Sequence, residues 1–424
     1  MLNVVDSLGY YVPSFFKIFI NTDKKLVNPF KLPTQEFTIF IHEYIHFLQD
    51  ILTPFGLKNI EHYQQVINEY NLYVNNSTNS IINLPIILEG ENIVMTNRDL
   101  FSLYIGQNKI KYKIDRITNI EITPNGLIKN KENVEEVIVY YYNKETNSIK
   151  NFQFGSFCIL ESMADLIESS YIKSKAPVFP YKIVEKIIDF YYPNQFSIEQ
   201  KVLICENALS SSNPGATFIK LLKYISTNEL KFHSLIKLKE YIGQFRHFVR
   251  NKPLDNNKIF IRSSIQAEQA LYYYFKNDSK FNDIIPWINH IFKIIRHLKS
   301  VDFSFTDLVG NKLINKLHEL YINLGTPVMI NNKDKFSFHY PKDLKQIPKS
   351  LLIFPVINDV YRVLQGYKTK CSLLFYCKNY KGKDITQKEC YSTPWRVFHG
   401  GCIICPFRRL WCGWGFWNKN YKLK

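Results

Sequence analysis

The stretch Thr34-Gln-Glu-Phe-Thr-Ile-Phe-Ile-His42-Glu43-Tyr-Ile-His46-Phe-Leu-Gln-Asp-Ile-Leu52 decides how the rest of the chain is read. Its centre, His42-Glu43-Tyr44-Ile45-His46, is an HExxH pattern. On a helix, two histidines four residues apart project from one face, one turn apart, close enough to hold a single zinc ion. The glutamate beside them is placed to accept a proton from a water on that metal. The pattern is short, but the His and Glu content of the chain gives only about 0.01 accidental matches.

The flanking residues support a helix. Pro33-Thr34 marks its start, with Thr34 as N-cap and Glu36 in the first turn, where the macrodipole favours an acid. Apolar side chains from Phe37 to Leu52 cover most of the circumference, so the helix is expected to be buried. Thr53-Pro54 ends it. Two histidines and a glutamate inside such a helix are costly unless paired or metal-bound. The plainer alternative is a pair of hydrogen-bonded core histidines.

A catalytic zinc needs a third protein ligand and an open position. The best candidate lies in Gly155-Ser-Phe-Cys-Ile-Leu-Glu161-Ser-Met-Ala-Asp165-Leu-Ile-Glu168, which reads as a second buried helix. Glu161 and Asp165 are four apart and share a face. One carboxylate on zinc and another accepting a hydrogen bond from a ligand histidine would explain both in an apolar helix. The alternative is a solvated face of an ordinary helix.

With HExxH on one helix and ExxxD on a later one, the chain resembles the gluzincins, the thermolysin-type metallopeptidases. The resemblance covers about 35 residues. It implies His42, His46 and Glu161 as metal ligands, Glu43 as general base, and Asp165 behind His42. The implied activity is zinc-dependent hydrolysis of peptide bonds in an intracellular protein or peptide. The spacing departs from the family, because Glu161 follows His46 by 115 residues. Two nearer residues compete for the third position. His62 follows His46 by sixteen residues, similar to the spacing in SprT-like proteases that act on DNA–protein crosslinks. Glu69 has a spacing nearer that of ordinary gluzincins.

The long gap calls for an insertion. Residues 80–155 carry Asn125-Gly126 between Asn119–Thr123 and Leu127-Ile128, and then the runs Val137–Tyr142 and Ile149–Phe154, so two hairpins are expected. Strands delivered into the Glu161 helix suit an enzyme whose substrate pairs with a sheet edge. Residues 176–365 read as mostly helical, with apolar spacing at 218–225, 235–248, 284–298 and 313–324. Asn213-Pro-Gly215 and Leu324-Gly-Thr-Pro327 mark breaks. His233, His247, His290, His297 and several tyrosines there could stabilise an oxyanion, and periodicity does not choose among them.

The last 54 residues differ in composition. They hold six of the eight cysteines and four of the five tryptophans, with ten Lys/Arg against two acids, a net +8 of the chain's +17. Cys377, Cys390, Cys402 and Cys405 are the leading set for a structural zinc, with an iron–sulfur cluster as the alternative and Cys371, Cys412 and His399 as substitutes. Basic residues interleaved with Trp395, Trp411, Trp414 and Trp417 suit nucleic acid or an acidic protein partner. They equally suit a small aromatic core with a solubilising surface.

Together these features predict an α+β fold. A zincin-like catalytic region spans 1–175 with 80–155 as a β-rich insertion, a helical lobe spans 176–365, and a basic Cys/Trp-rich module spans 366–424. The chain has no apolar run of 18 residues and no secretory pattern at its start, so a cytoplasmic hydrolase is expected. The alternative reading is a nucleic-acid-associated protein, either SprT-like or zinc-stabilised, that uses the basic tail.

Overall fold

A computed structural model describes residues 8–88, 93–125, 134–173, 176–227, 234–244, 247–249, 252–254, 256–275, 279–344, 348–397 and 405–423. The chain opens with a hairpin, β1 (Gly9–Val12) and β2 (Lys17–Ile20), followed by α1 (Thr34–Leu52) and α2 (Pro54–Asn76). Next come β3 (Ile81–Leu84), α3 (Ile93–Ile105), β4 (Arg116–Pro124), β5 (Glu135–Asn143), β6 (Ser148–Phe154) and α4 (Ser156–Ser169). The helical stretch comprises α5 (Ile183–Tyr191), α6 (Ile198–Ala208), α7 (Pro214–Thr227) and α8 (Leu235–Gln244). A short hairpin, β7 (His247–Val249) and β8 (Lys252–Leu254), leads to α9 (Asn256–Phe275), α10 (Ile285–Ser300) and α11 (Leu313–Leu324). The chain closes with β9 (Val328–Asn331), β10 (Phe336–Ser337), α12 (Ile353–Leu364), α13 (Leu374–Lys378), α14 (Pro406–Gly413) and β11 (Asn420–Leu423).

The fold is α+β, with long helices around four small sheets among the described residues. α1 is buried from Phe40 to Leu52, apart from a partly exposed His46, and packs on α2, α4, β1 and β2. Its start differs by one residue from the expected one: Pro33 is the N-cap and Thr34 is already helical. Its end falls at Thr53, as read. Pro54 then opens α2 at once, because Thr53 Oγ1 accepts the Gly56 N–H at 3.1 Å and caps the new helix.

β4, β5 and β6 form one antiparallel sheet, not two separate hairpins. β4 pairs directly with β5, and Asn125 N–H still reaches the Val134 carbonyl at 2.7 Å. Gly126 and the expected strand at Leu127-Ile128 lie outside the described residues. β6 runs through Gly155 straight into α4, as expected. A Cβ at Gly155 would meet the Tyr104 carbonyl oxygen at 2.4 Å, so only glycine lets α3 approach this strand-to-helix joint. Helices occupy 218–225, 284–298 and 313–324 as read, whereas α8 stops at Gln244 and β7 follows.

The three sequence regions interlock. The sheet containing the N-terminal hairpin has the order β1-β2-β9-β10, and β2 and β9 run parallel. β11, at the far end of the chain, pairs in parallel with β3. One hydrophobic core runs continuously from Tyr11 to Tyr421. Asp359 of α12 fastens the C-terminal segment by accepting both the N–H (2.6 Å) and the hydroxyl (2.9 Å) of Ser372.

Candidate metal centre

α1 and α4 pack against each other and bring three donors together. His42 Nε2 and His46 Nε2 are 3.2 Å apart, and Glu161 Oε2 lies 3.3 Å from the first and 3.5 Å from the second. Tetrahedral bonds of about 2.0–2.1 Å place ligand atoms about 3.3–3.4 Å from one another, so this triangle has the size that zinc requires. Among the described residues, His42, His46 and Glu161 are the group of three His, Cys, Asp or Glu side chains whose donor atoms all lie within 4.8 Å of one another.

The hydrogen bonds behind the triangle show what the donors need. Gln49 gives its amide N–H to the Leu160 carbonyl at 3.0 Å, which leaves its Oε1 to accept from His46 Nδ1 at 2.7 Å. His46 therefore carries its proton on Nδ1 and directs the Nε2 lone pair at Glu161. His42 Nδ1 donates to Glu168 Oε2 at 2.9 Å, which fixes the same tautomer. Two lone pairs and a carboxylate then face one point, an arrangement that is satisfied only by a cation or a shared proton.

Without a cation, the same point draws protons onto the rings. Burial lowers the pKa of His42, but its hydrogen bonds to Glu161 and Glu168 outweigh it and raise the ring well above its ordinary value. His46 is raised too, Glu161 overcoming burial. Burial would raise Glu161, yet the two imidazoles hold it well below the usual carboxylate range. Glu43, 7% exposed, is pushed by burial up to about 7 against the lowering effect of both histidines.

Glu43 is not in the donor group. It faces β1, where the Tyr11 N–H bonds to its carboxylate and a Cβ at Gly9 would lie 3.3 Å from Oε1. The hairpin is itself anchored to α1. The Tyr11 hydroxyl (2.9 Å) and the Ser14 N–H (2.6 Å) both donate to Asp50.

One residue of the expected site is replaced. The carboxylate on His42 Nδ1 is Glu168, not Asp165. Asp165 is buried on the same helix, but Glu168 is the residue whose side chain reaches the far side of the His42 ring. Tyr181 was not singled out by the sequence, and it packs edge-on against His42 at 5.7 Å. Burial, reinforced by Glu161, Glu43, Asp165 and Glu168, raises its phenol, so it stays a proton donor. Substituting Gln49 or Glu168 with Ala should weaken metal binding by about 10- to 100-fold without removing a ligand, as a competition titration against a chelator would show.

The rival third ligands are elsewhere. His62 stacks on Phe101 at 5.2 Å, and burial lowers it to about 4. It lines a separate cavity with Arg98, Tyr361 and Gln365. Glu69 sits on α2, outside the donor group. Of the distant histidines, His290 bonds to the Asn323 carbonyl, His297 is exposed, and His233 lies outside the described residues.

In the tail, Cys377, Cys390 and Cys405 are described, whereas His399 and Cys402 are not. Trp395, Trp411 and Trp414 are buried and Trp417 alone of the four is exposed, so three of the four rings are not available for base stacking. No helix is long and apolar enough to cross a membrane among the described residues. Comparison with protein families, curated proteins and solved structures gives no match.

Proposed function

We propose that this chain is a zinc-dependent peptidase, with His42, His46 and Glu161 holding the metal and Glu43 moving the proton of the attacking water. The observation that carries this reading is the donor triangle, closed by two oriented imidazoles and a carboxylate, with a non-ligating acid one residue from His42. A bound zinc would supply Lewis acidity toward a substrate carbonyl and make water a nucleophile near neutral pH. Glu43 takes that proton and passes it to the leaving amine. Tyr181, protonated and with its ring against His42, would be the donor to a developing oxyanion.

The neighbouring strand favours a peptide substrate. β1 is an edge strand of its sheet among the described residues. Asn21 N–H donates to the Leu8 carbonyl at 2.8 Å, so by the alternation of an antiparallel ladder the amides of Gly9 and Tyr11 point away from β2. That is the side on which Glu43 lies. The Tyr11 N–H is engaged by Glu43, so an extended peptide meeting this edge would approach the donor triangle beside the general base without pairing to that amide.

The test is cleavage of a proteome-derived peptide library read by mass spectrometry. The full chain loaded with zinc should cut a subset of peptides, lose the activity on chelation and regain it when zinc is restored. A folded, zinc-loaded chain that leaves the whole library intact would refute the peptidase reading while leaving the metal site standing.

A further inference from the structure

His62 belongs to a cavity that none of the metal donors lines. α2, α3 and the end of α12 border a space of about 330 Å³, whose walls include His62, Tyr63, Arg98, Phe101, Tyr361 and Gln365. That volume is within the range of small-molecule sites. One wall is a run of rings. Phe101 stacks on His62 at 5.2 Å, His62 meets Tyr63 at 6.1 Å, and Tyr63 meets Tyr361 edge-on at 5.0 Å. These residues come from three distant parts of the chain, so the wall exists only in the folded protein.

The polar ends on this wall are left open. His62 is 9% exposed, yet its ring nitrogens have no hydrogen-bond partner among the described residues, and neither have the hydroxyls of Tyr63 and Tyr361. Buried polar groups are almost always paired, so a buried imidazole left open on a cavity wall points to a partner from outside the chain. Burial, with the charge of Arg98 adding to it, lowers the His62 ring to about 4, so it is neutral and offers one donor and one acceptor. Burial pushes the Tyr63 phenol up to about 12 and raises that of Tyr361, which keeps both as donors.

Arg98 supplies the charge. Its Nη2 lies 3.4 Å from Oδ1 of Asp99, its neighbour in sequence. With side chains 33% and 60% exposed, that pair neutralises little of the guanidinium. Gln365 gives its amide N–H to the Tyr70 hydroxyl, and Arg98 bonds to the same hydroxyl. This orients the guanidinium and leaves others of its five N–H groups for a ligand.

We propose that this cavity binds a small oxyanion, a carboxylate or phosphate group, held by Arg98 with His62, Tyr63 and Tyr361 donating to its oxygens. An oxyanion only accepts, and all four of these groups can donate, one of them with a full positive charge. A cation would meet Arg98, with only the exposed Asp99 to favour it, and an apolar guest would leave the buried imidazole unpaired. The net charge of +17 on the chain favours the arrival of an anion. This gives His62 a role other than metal ligation, and it does not depend on the peptidase reading.

The test is NMR of the full chain with ¹³C-labelled histidine rings, titrated with inorganic phosphate and, separately, with acetate at constant ionic strength. Loss of a signal in His62→Gln identifies the His62 ring. That signal should shift and saturate with at least one of the two anions, phosphate alone marking a phosphoryl site and acetate alone a carboxylate site. Arg98→Gln should weaken the binding about 10- to 100-fold, the worth of a hydrogen bond to a charged group, and Tyr361→Phe about 2- to 10-fold. His46→Ala should bind as the unsubstituted chain does. A His62 signal that moves with neither anion overturns the proposal, as does an unchanged midpoint in Arg98→Gln or a shift that His46→Ala abolishes. Should Arg98→Gln fail to fold, Tyr361→Phe decides, because it removes a single hydroxyl and an unchanged midpoint there overturns the assignment.

Discussion

Replacing Glu43 by Gln should leave the metal in place and lower kcat by about 10²- to 10⁴-fold, the range that a positioned general base contributes. The substitution is nearly isosteric, and an amide oxygen can still accept the Tyr11 N–H that holds Glu43 against β1. It keeps the fold and both imidazoles but removes the group that takes the proton. By contrast, His42→Ala and His46→Ala each remove a donor from the triangle and should release one metal equivalent. The paired readout separates the roles: metal content reports ligation, and single-turnover cleavage reports proton transfer. Turnover left intact in Glu43→Gln would disprove the proposed role of Glu43.

Truncation of Trp411 to Ala should cost about 3–5 kcal/mol, the usual price of emptying a large aromatic site in a core. The ring is 1% exposed and touches Trp395, Phe407, Phe416 and Tyr421, with centroids 4.9 to 6.4 Å away. α14 also packs on α12, and Tyr421 belongs to the β11 strand paired with β3. Loosening this cluster should therefore free the C-terminal segment from the body. Urea unfolding measures the loss, and limited proteolysis should cut first within 366–424 while the His46 metal stays bound. Unchanged stability would mean that Trp411 does not form the core of this segment.

Much of the site was legible because it depends on helical periodicity. The HExxH residues lie on a helix most of whose other positions are apolar, so burial of His42 and Glu43 followed from the pattern, with His46 left partly exposed. Glu161 could be found across 115 residues for the same reason, as a carboxylate in an apolar helix entered directly from a strand. The choice between Asp165 and Glu168 was not available to that logic. At four and seven residues from Glu161, both fall on its face, and only the crossing of α1 over α4 decides which one meets His42 Nδ1. Gln49 left a signal, three residues after His46 and on the same face, that becomes meaningful only once Leu160 is seen to orient its amide.

The rest was hidden by range. β1 and β2 have four residues each, too few for alternation to show, and β9 lies about 300 residues from its parallel partner β2. Such pairing has no local signature. The edge strand facing Glu43 therefore came from the structure alone, as did Tyr181. The tail shows the opposite failure. Its composition suits an aromatic, basic nucleic-acid surface, but composition does not say which way a ring points, and three of the four tryptophans point inward.

Anomalous diffraction at the zinc edge from crystals of the full chain grown with zinc tests the central claim most directly. The account predicts a peak bonded to His42 Nε2, His46 Nε2 and Glu161 Oε2 at about 2.0–2.2 Å, with Glu168 and Gln49 still on the two Nδ1 atoms. A peak coordinated by His62 or Glu69 in place of Glu161, or no peak between α1 and α4, would contradict it.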